Sequence, residues 1–205
     1  MSVSLRCYST SLGCPKNRVD TERLLGSLGV ALVPVESPDE AELVFINTCA
    51  FIQPATEESV RTIAQAIADI EELPKRPLLA VAGCLVGRYH AEDLAPELPE
   101  VDLWLDNSDL EAWPAMLARK LGLPEPTVPG RILSTGPSYA WLKISDGCRH
   151  ACSFCAIPNI RGGHRSHCKD MIVREARALL DQGVKELNLV AQDLTEWGCD
   201  LDGKQ

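Results

Sequence analysis

Six of the nine cysteines fall into two sets of three, and cysteine thiolates are the usual ligands of iron–sulfur clusters. Cys148, Cys152 and Cys155 form one set with the spacing CxxxCxxC, which is compact enough for one loop to surround a cluster. The second set is spread along the first half of the chain. A cluster with three protein ligands keeps one iron free for a substrate or cofactor. The cysteines therefore predict two clusters of this kind.

The second set comprises Cys14, Cys49 and Cys84, and each of these follows an apolar run and precedes a helical pattern. In an open parallel sheet the carboxyl ends of all strands lie along one edge, where ligands bind. If the three strands are the first, third and fourth of a flavodoxin-like order, their cysteines meet at one point. Gly13 and Gly83 would let the backbone approach closely there. The alternative is that these are buried core cysteines, which are common.

The elements that must position these residues alternate between strand and helix over residues 1–122. Such alternation predicts parallel βαβ units and an α/β fold with a doubly wound sheet. Strands are predicted at 5–9, 31–35, 43–46, 78–82 and 101–105, and helices at 18–28, 55–72, 88–94 and 110–121. Cys7 lies inside the first strand pattern and is predicted to belong to the core.

A segment rich in proline and glycine, residues 123–138, is predicted to be a linker. The second domain, residues 139–205, has a strand at 140–145, a helix at 170–182 and a strand at 186–191. These elements form one βαβ unit, which we expect either to pack on the first domain or to begin a longer barrel. The CxxxCxxC loop directly follows its first strand, at the end where barrel enzymes place their chemistry.

Composition limits the compartment and the partners. The net charge of −9 gives no overall attraction to nucleic acid. No apolar run is long enough to span a bilayer, and the N-terminus has no signal-peptide pattern, which predicts a cytoplasmic protein without a membrane partner.

Zinc remains an alternative metal at the compact set, with His150, His164, His167 or Cys168 as a fourth ligand. Cys168 and Cys199 are otherwise unassigned.

The compact set, with Phe154 before its last cysteine, resembles the signature of the radical S-adenosylmethionine (SAM) enzymes. The resemblance implies a 4Fe-4S cluster on Cys148, Cys152 and Cys155, whose free iron binds the amino and carboxylate groups of S-adenosylmethionine. It also implies that Phe154 lies beside the adenine, and that reductive cleavage of the cofactor yields a 5′-deoxyadenosyl radical. The second domain would then be the start of a partial TIM barrel.

The upstream motifs resemble the methylthiotransferases within that superfamily, and in particular their RimO-like branch. They are Ser-Leu-Gly-Cys-Pro-Lys-Asn at 11–17, Asn-Thr-Cys-Ala at 47–50, Gly-Cys-Leu at 83–85, Leu-Lys-Ile-Ser-Asp-Gly-Cys at 142–148 and Ile-Arg-Gly at 160–162. The resemblance implies a second 4Fe-4S cluster on Cys14, Cys49 and Cys84, which presents the sulfur that is methylated and transferred. The resemblance also implies that Gln192 and Asp193 contact the cofactor; the alternative is that they form a solvated strand end.

For the RimO-like branch, the resemblance implies a methylthio transfer to an aspartate of a small-subunit ribosomal protein. An electron donor such as flavodoxin or ferredoxin would be required. Family members continue through the rest of the barrel and a TRAM domain, which this sequence does not include. Two alternatives remain: a tRNA adenosine methylthiotransferase, with tRNA as the less favoured substrate, and a catalytically incomplete iron–sulfur fragment.

Overall fold

The computed structural model describes residues 4–201. Residues 1–3 and 202–205, the outer ends of the two predicted domains, lie outside the described range. The chain divides between Ile132 and Leu133 into two compact units. This division falls inside the segment that the sequence predicts as a linker.

The first unit contains a five-stranded sheet in which all neighbouring strands are parallel, in the order β2-β1-β3-β4-β5. This order is flavodoxin-like and confirms the predicted doubly wound sheet. Every residue of the central strand β3 is buried, as expected when helices cover both faces of a parallel sheet. The strands are β1 (Ser4–Ser11), β2 (Ala31–Pro34), β3 (Leu43–Thr48), β4 (Leu78–Gly83) and β5 (Leu103–Leu105).

The helices of the first unit begin and end at residues suited to those positions. A proline lies in the first turn of α1, α2 and α5, where its missing N–H costs no hydrogen bond. Gly122, with a φ of 69°, caps the end of α5. The helices are α1 (Pro15–Ser27), α2 (Gln53–Ile70), α3 (Cys84–Tyr89), α4 (Ala91–Leu94) and α5 (Trp113–Leu121).

Two predicted helices differ from those observed. The helix predicted at 88–94 is in fact the two short helices α3 and α4, because the backbone of His90 has a φ of 59° and interrupts the helical path. The helix predicted at 110–121 begins later, at Trp113, because a 3₁₀ turn at Asn107–Asp109 precedes it.

The segment that follows α5 packs on α1. A Cβ atom on Gly130 or on Gly26 would collide with the backbone of the opposite segment, so glycine is needed at this contact. Next to it, Arg131 Nη2 lies 2.6 Å from Glu22 Oε2, and both side chains are almost fully buried. The chain is thus fixed to the first unit up to residue 132.

The second unit contains the predicted βαβ arrangement. β6 (Tyr139–Lys143) pairs in parallel with β9 (Glu186–Val190), and α7 (Lys169–Asp181) connects them along the chain. Ala140, Leu142, Leu179 and Val184 form its small core. Between β6 and α7 lie the short elements β7 (Ser145–Asp146), α6 (Ile157–Arg161) and β8 (Arg165–Ser166), of which β7 and β8 pair antiparallel. No helix within residues 4–201 has the length and apolar character needed to span a membrane.

Candidate metal centres

The three cysteines of the first unit follow strands that are neighbours in the sheet. Cys14 follows β1 as the N-cap of α1, Cys49 follows β3, and Cys84 follows β4 as the first residue of α3. Because β1, β3 and β4 are adjacent and parallel, all three residues lie at the same carboxyl edge. We call this group the edge site.

Two glycines allow the loops of the edge site to approach one another. Gly13 has a φ of 82°, and a Cβ atom there would lie 2.7 Å from Cys49 Sγ. Gly83 has a φ of 99°, and a Cβ atom there would collide with the side chain of Asn47 and the backbone of Thr48. Only glycine combines these backbone angles with such close contacts, so both positions constrain the geometry around the thiols.

The buried side chain of Asn17 links the three loops of the edge site. Its Nδ2 donates to the carbonyl oxygens of Leu12 at 2.9 Å and Thr48 at 2.8 Å. Since only the NH₂ end of an amide can donate to two carbonyls, the orientation of this side chain is fixed. Its Oδ1 therefore faces Cys84 Sγ at 3.8 Å, with the thiol as the donor. Asn17 lies in the motif that the sequence singled out, but its role was not predicted.

The Cys49 loop is held by neutral hydrogen bonds to α2 and by one arginine. The Cys49 N–H donates to Ser59 Oγ at 3.0 Å, and the Ser59 hydroxyl donates to the Cys49 carbonyl at 2.7 Å. Arg88 Nη1 donates to the carbonyl of Ala50 at 2.7 Å. The loop that carries this thiol is therefore attached to two helices.

Asn107 completes the edge site from the next strand in the sheet, since it follows β5. Its Nδ2 donates to Cys84 Sγ at 3.8 Å, and both residues are buried. Its Oδ1 is buried without a hydrogen-bond partner among residues 4–201. Asn107 was not predicted as a site residue, although it has the same placement as the cysteines: it follows a predicted strand at the carboxyl edge.

The second set of cysteines lies in one loop between β7 and α6, which we call the loop site. The Cys148 N–H donates to the carbonyl of Gly162 at 3.2 Å, and the Cys155 N–H donates to the carbonyl of Cys152 at 3.0 Å. Cys152 is exposed, and the side chain of Phe154 is 90% exposed. The loop site therefore presents a thiol and an aromatic ring at the surface of its unit.

A buried group of charges lies directly before and after the loop site. Lys143 Nζ donates to Asp146 at 2.8 Å, and Arg161 Nη1 donates to both oxygens of Asp146 at 3.1 Å. All three side chains are almost fully buried. Burial alone would raise the pKa of Asp146, but the two cations and their hydrogen bonds outweigh it and hold that pKa well below its usual range.

The residues after β9 lie beside the loop site. His150 Nε2 lies 3.2 Å from Asp193 Oδ2, and Thr195 donates to Asp193 from its N–H at 2.9 Å and its hydroxyl at 2.6 Å. The hydrogen bonds from Thr195 and His150 keep the pKa of Asp193 below its ordinary value. The side-chain amide of Gln192 is buried and has no hydrogen-bond partner in the part of the chain that the structure describes.

Two further groups of side chains have the spacing of ligands to a single ion. They are His150, Asp193 and Glu196, and His164, Cys199 and Asp200, with all ligand atoms of each group within 4.8 Å of one another. Internal contacts account for both: Arg149 forms an ion pair with Glu196, and Asp200 accepts a hydrogen bond from the Ser166 N–H at 2.8 Å. Neither group includes a cysteine of the two predicted sets.

Cys7 is buried in the core of the first unit, in agreement with the prediction, and its burial raises the pKa of the thiol to about 12. Cys168 is exposed.

Comparison with known proteins gives concordant matches along most of the chain. Residues 6–106 match the family described as "Uncharacterized protein family UPF0004". A protein of Nitratidesulfovibrio vulgaris named "Ribosomal protein uS12 methylthiotransferase RimO" is 70% identical over 194 residues, which cover 95% of this chain and 45% of that protein. Proteins of the same name from Oleidesulfovibrio alaskensis and Lawsonia intracellularis are 63% and 59% identical, over 95% and 98% of this chain. The chain therefore spans a little under half the length of these relatives.

Proposed function

This chain is a member of the RimO-like methylthiotransferases, and on that basis we propose that it is the cluster-binding part of a radical SAM enzyme. The enzyme would add a methylthio group to an aspartate of a small-subunit ribosomal protein, with two 4Fe-4S clusters and S-adenosylmethionine as cofactors. The observation that supports the proposal is the edge site, where Cys14, Cys49 and Cys84 follow three adjacent parallel strands at one carboxyl edge although they are far apart in sequence.

The donor atoms and their surroundings fit this assignment. Thiolates in sets of three suit an iron–sulfur cluster that keeps one iron open. At the edge site, Gly13 leaves the space beside the Cys49 thiol clear of a Cβ atom, and Gly83 allows the backbone before Cys84 to approach Asn47 and Thr48. The Cys84 sulfur also has an amide donor in Asn107, and hydrogen bonds to ligand sulfurs are a normal part of cluster sites.

The loop site offers the groups that a bound S-adenosylmethionine would need. When bound, the clusters and the cofactor supply reductive cleavage and sulfur transfer. Phe154 offers an exposed ring face for the adenine. The unpaired amide of Gln192 and the ionised carboxylate of Asp193 offer hydrogen bonds to the polar end of the cofactor. Asp146, with Lys143 and Arg161, would hold the backbone on both sides of the loop in place.

A ribosomal protein is favoured over tRNA as the substrate, because a relative that is 70% identical carries a name that specifies uS12. The net charge of −9 also suits a basic protein partner. Reduced thiolate ligands require a reducing compartment, which supports a cytoplasmic location. The electron donor would be a small redox protein such as flavodoxin or ferredoxin.

Anaerobic reconstitution followed by iron and sulfide analysis tests the proposal. We expect about eight irons per chain, and about four after replacement of either cysteine set, Cys14, Cys49 and Cys84 or Cys148, Cys152 and Cys155, by alanine. As a matched control, replacement of Cys168 and Cys199 should leave the iron content unchanged. Four irons both in the parent and in the variant lacking the edge-site cysteines would overturn the two-cluster assignment.

The substrate is tested by incubation of the reconstituted chain with S-adenosylmethionine, a reductant and either the small-subunit ribosomal protein or tRNA. We expect 5′-deoxyadenosine to form, and any methylthio product to appear on the protein. A methylthio product on tRNA alone would favour the tRNA alternative. Two loaded clusters without 5′-deoxyadenosine would favour the incomplete iron–sulfur fragment.

A further inference from the structure

We propose that Asn107 is a positioning residue of the edge site, whose side-chain N–H donates to the Cys84 sulfur and raises the reduction potential of the cluster bound there. This inference rests on the proposed function, since it presupposes a cluster on Cys14, Cys49 and Cys84. It adds a residue outside both cysteine motifs, in the 3₁₀ turn after β5, a strand that no cysteine of the edge site follows.

The environment of Asn107 points to the sulfur as the reason for an amide at this position. Asn107 is 1% exposed and Cys84 is 5% exposed, so the contact between Nδ2 and Sγ at 3.8 Å is shielded from water. The Oδ1 atom has no partner within residues 4–201. A buried amide with an unpaired oxygen is costly, and an apolar side chain of similar size would avoid that cost. The remaining advantage of the amide is the bond that it makes to Cys84.

The orientation of the Asn107 amide follows from the chemistry of a ligated sulfur. A thiolate bound to iron has no proton, so it accepts hydrogen bonds but cannot donate them. The NH₂ end of Asn107 is therefore the end that fits beside it. In a shielded environment this N–H dipole favours negative charge on the sulfur and on the cluster.

Asn17, the other amide at Cys84, cannot take over this role. Its Nδ2 is committed to the carbonyl oxygens of Leu12 and Thr48, which directs its Oδ1 towards the sulfur. The two amides therefore differ: Asn17 joins the loops, whereas Asn107 donates to the ligand. A one-electron reduction adds negative charge to the cluster, and the Asn107 donor stabilises the reduced form more than the oxidised form.

The test uses the 205-residue chain with Cys148, Cys152 and Cys155 replaced by alanine, so that only the edge site can bind a cluster. Potentiometric titration with dithionite, followed by electron paramagnetic resonance of the reduced cluster, gives its midpoint potential. In Asn107→Leu the reduction equilibrium constant should fall about tenfold, which is about 59 mV for a one-electron couple. Asn107→Asp, which also adds negative charge, should lower it further. Asn107→His, which restores an N–H, should recover part of the loss.

Trp113→Phe is the matched control for damage to the same turn. Trp113 Nε1 donates to the carbonyl of Asp106 at 2.7 Å, so this change removes a partly buried hydrogen bond next to Asn107 without altering a contact to a sulfur. Its midpoint potential should equal that of the parent, by which we mean the chain that lacks only the three loop-site cysteines. An equal potential in the parent and Asn107→Leu, with the cluster loaded in both, would overturn the role of Asn107 and leave the proposed function intact. Failure of the parent to bind any cluster would overturn both.

A second measurement does not depend on whether a variant retains its cluster. In the parent chain labelled with ¹⁵N-asparagine, electron–nuclear double resonance of the reduced cluster should show coupling to one asparagine nitrogen. The absence of that coupling would contradict the N–H donation by Asn107.

Discussion

The two cysteine sites of this chain are built in different ways. The edge site takes its thiols from three strand ends that only the parallel sheet brings together, whereas the loop site takes them from one short segment. The edge site is held mainly by neutral groups such as Asn17 and Ser59. The loop site is flanked by a buried ion group centred on Asp146. The positions of ligands that are distant in sequence therefore depend on the whole sheet. The positions of ligands in one segment depend on the contacts that hold that loop in place.

The sites also differ in exposure. Cys84 is buried beside two amides, whereas Cys152 is exposed next to Phe154. Under the proposed function, the edge-site cluster would therefore have one ligand shielded from water beside two amides, whereas the loop-site cluster would have one ligand open to solvent near the ring of Phe154.

Of the changes that distinguish the two sites, removal of the charge at Asp146 should cause the largest loss of stability. Asp146→Asn takes away the carboxylate that Lys143 and Arg161 both contact in a buried environment. Removal of one partner from a buried ion group lowers the free energy of unfolding by about 3–5 kcal/mol. We expect this destabilisation in the second unit alone. Hydrogen-exchange mass spectrometry should show faster exchange in β6 and β9 and unchanged exchange in β3. Asp181→Asn, at an exposed position on α7, is the control. Equal exchange in both variants would show that the ion group does not stabilise the loop site.

Alkaline pH should have an intermediate effect on the free energy of unfolding, because it ionises Cys7 of the first unit in the unfolded state. The thiol pKa is raised from 9.0 to about 12, so the stabilisation is complete below pH 9.0, where the folded and unfolded states both keep the proton. It is lost as the pH rises from 9.0 towards 12, because only the unfolded thiol ionises. Between pH 8 and pH 10.5 the loss should be about 2 kcal/mol.

Urea unfolding of the parent and of Cys7→Ala at both pH values measures this loss. The difference in the free energy of unfolding between the two proteins should shrink by the stated amount at the higher pH. A constant difference would show that Cys7 ionises equally in both states, and that the first unit does not shield this thiol.

Replacement of Phe154 should have the smallest effect on stability. Because the ring is 90% exposed, Phe154→Ala should change the free energy of unfolding by less than about 0.5 kcal/mol. If the ring stacks on the adenine, S-adenosylmethionine should bind about two- to tenfold more weakly, as measured by equilibrium dialysis of the reconstituted chain. Phe51→Ala, near the edge site, should leave that affinity unchanged. Unaltered affinity in Phe154→Ala would remove the ring from the proposed cofactor site.

The strands of the first unit were predictable because their apolar runs are distinct. All five predicted strands are present, and Cys14, Cys49 and Cys84 follow β1, β3 and β4 as expected. The prediction of one continuous helix at 88–94 was wrong, because the chain is interrupted at His90 by a single backbone angle that the side-chain pattern does not reveal. The donor at Asn107 and the ion group at Asp146 were not predicted, since a contact between distant residues leaves no periodic signal.

The sequence alone determined the two sets of three cysteines, the alternation of strands and helices, and the motifs that relate the chain to the methylthiotransferases. These features are local, because spacing and hydrophobic periodicity act over a few residues. The tertiary structure alone decided that Asn107 contacts Cys84, that Asn17 connects three loops, and that Lys143 and Arg161 share one carboxylate. Side-chain hydrogen bonds require positions within a few ångströms, and only the packed sheet and the folded loop provide them.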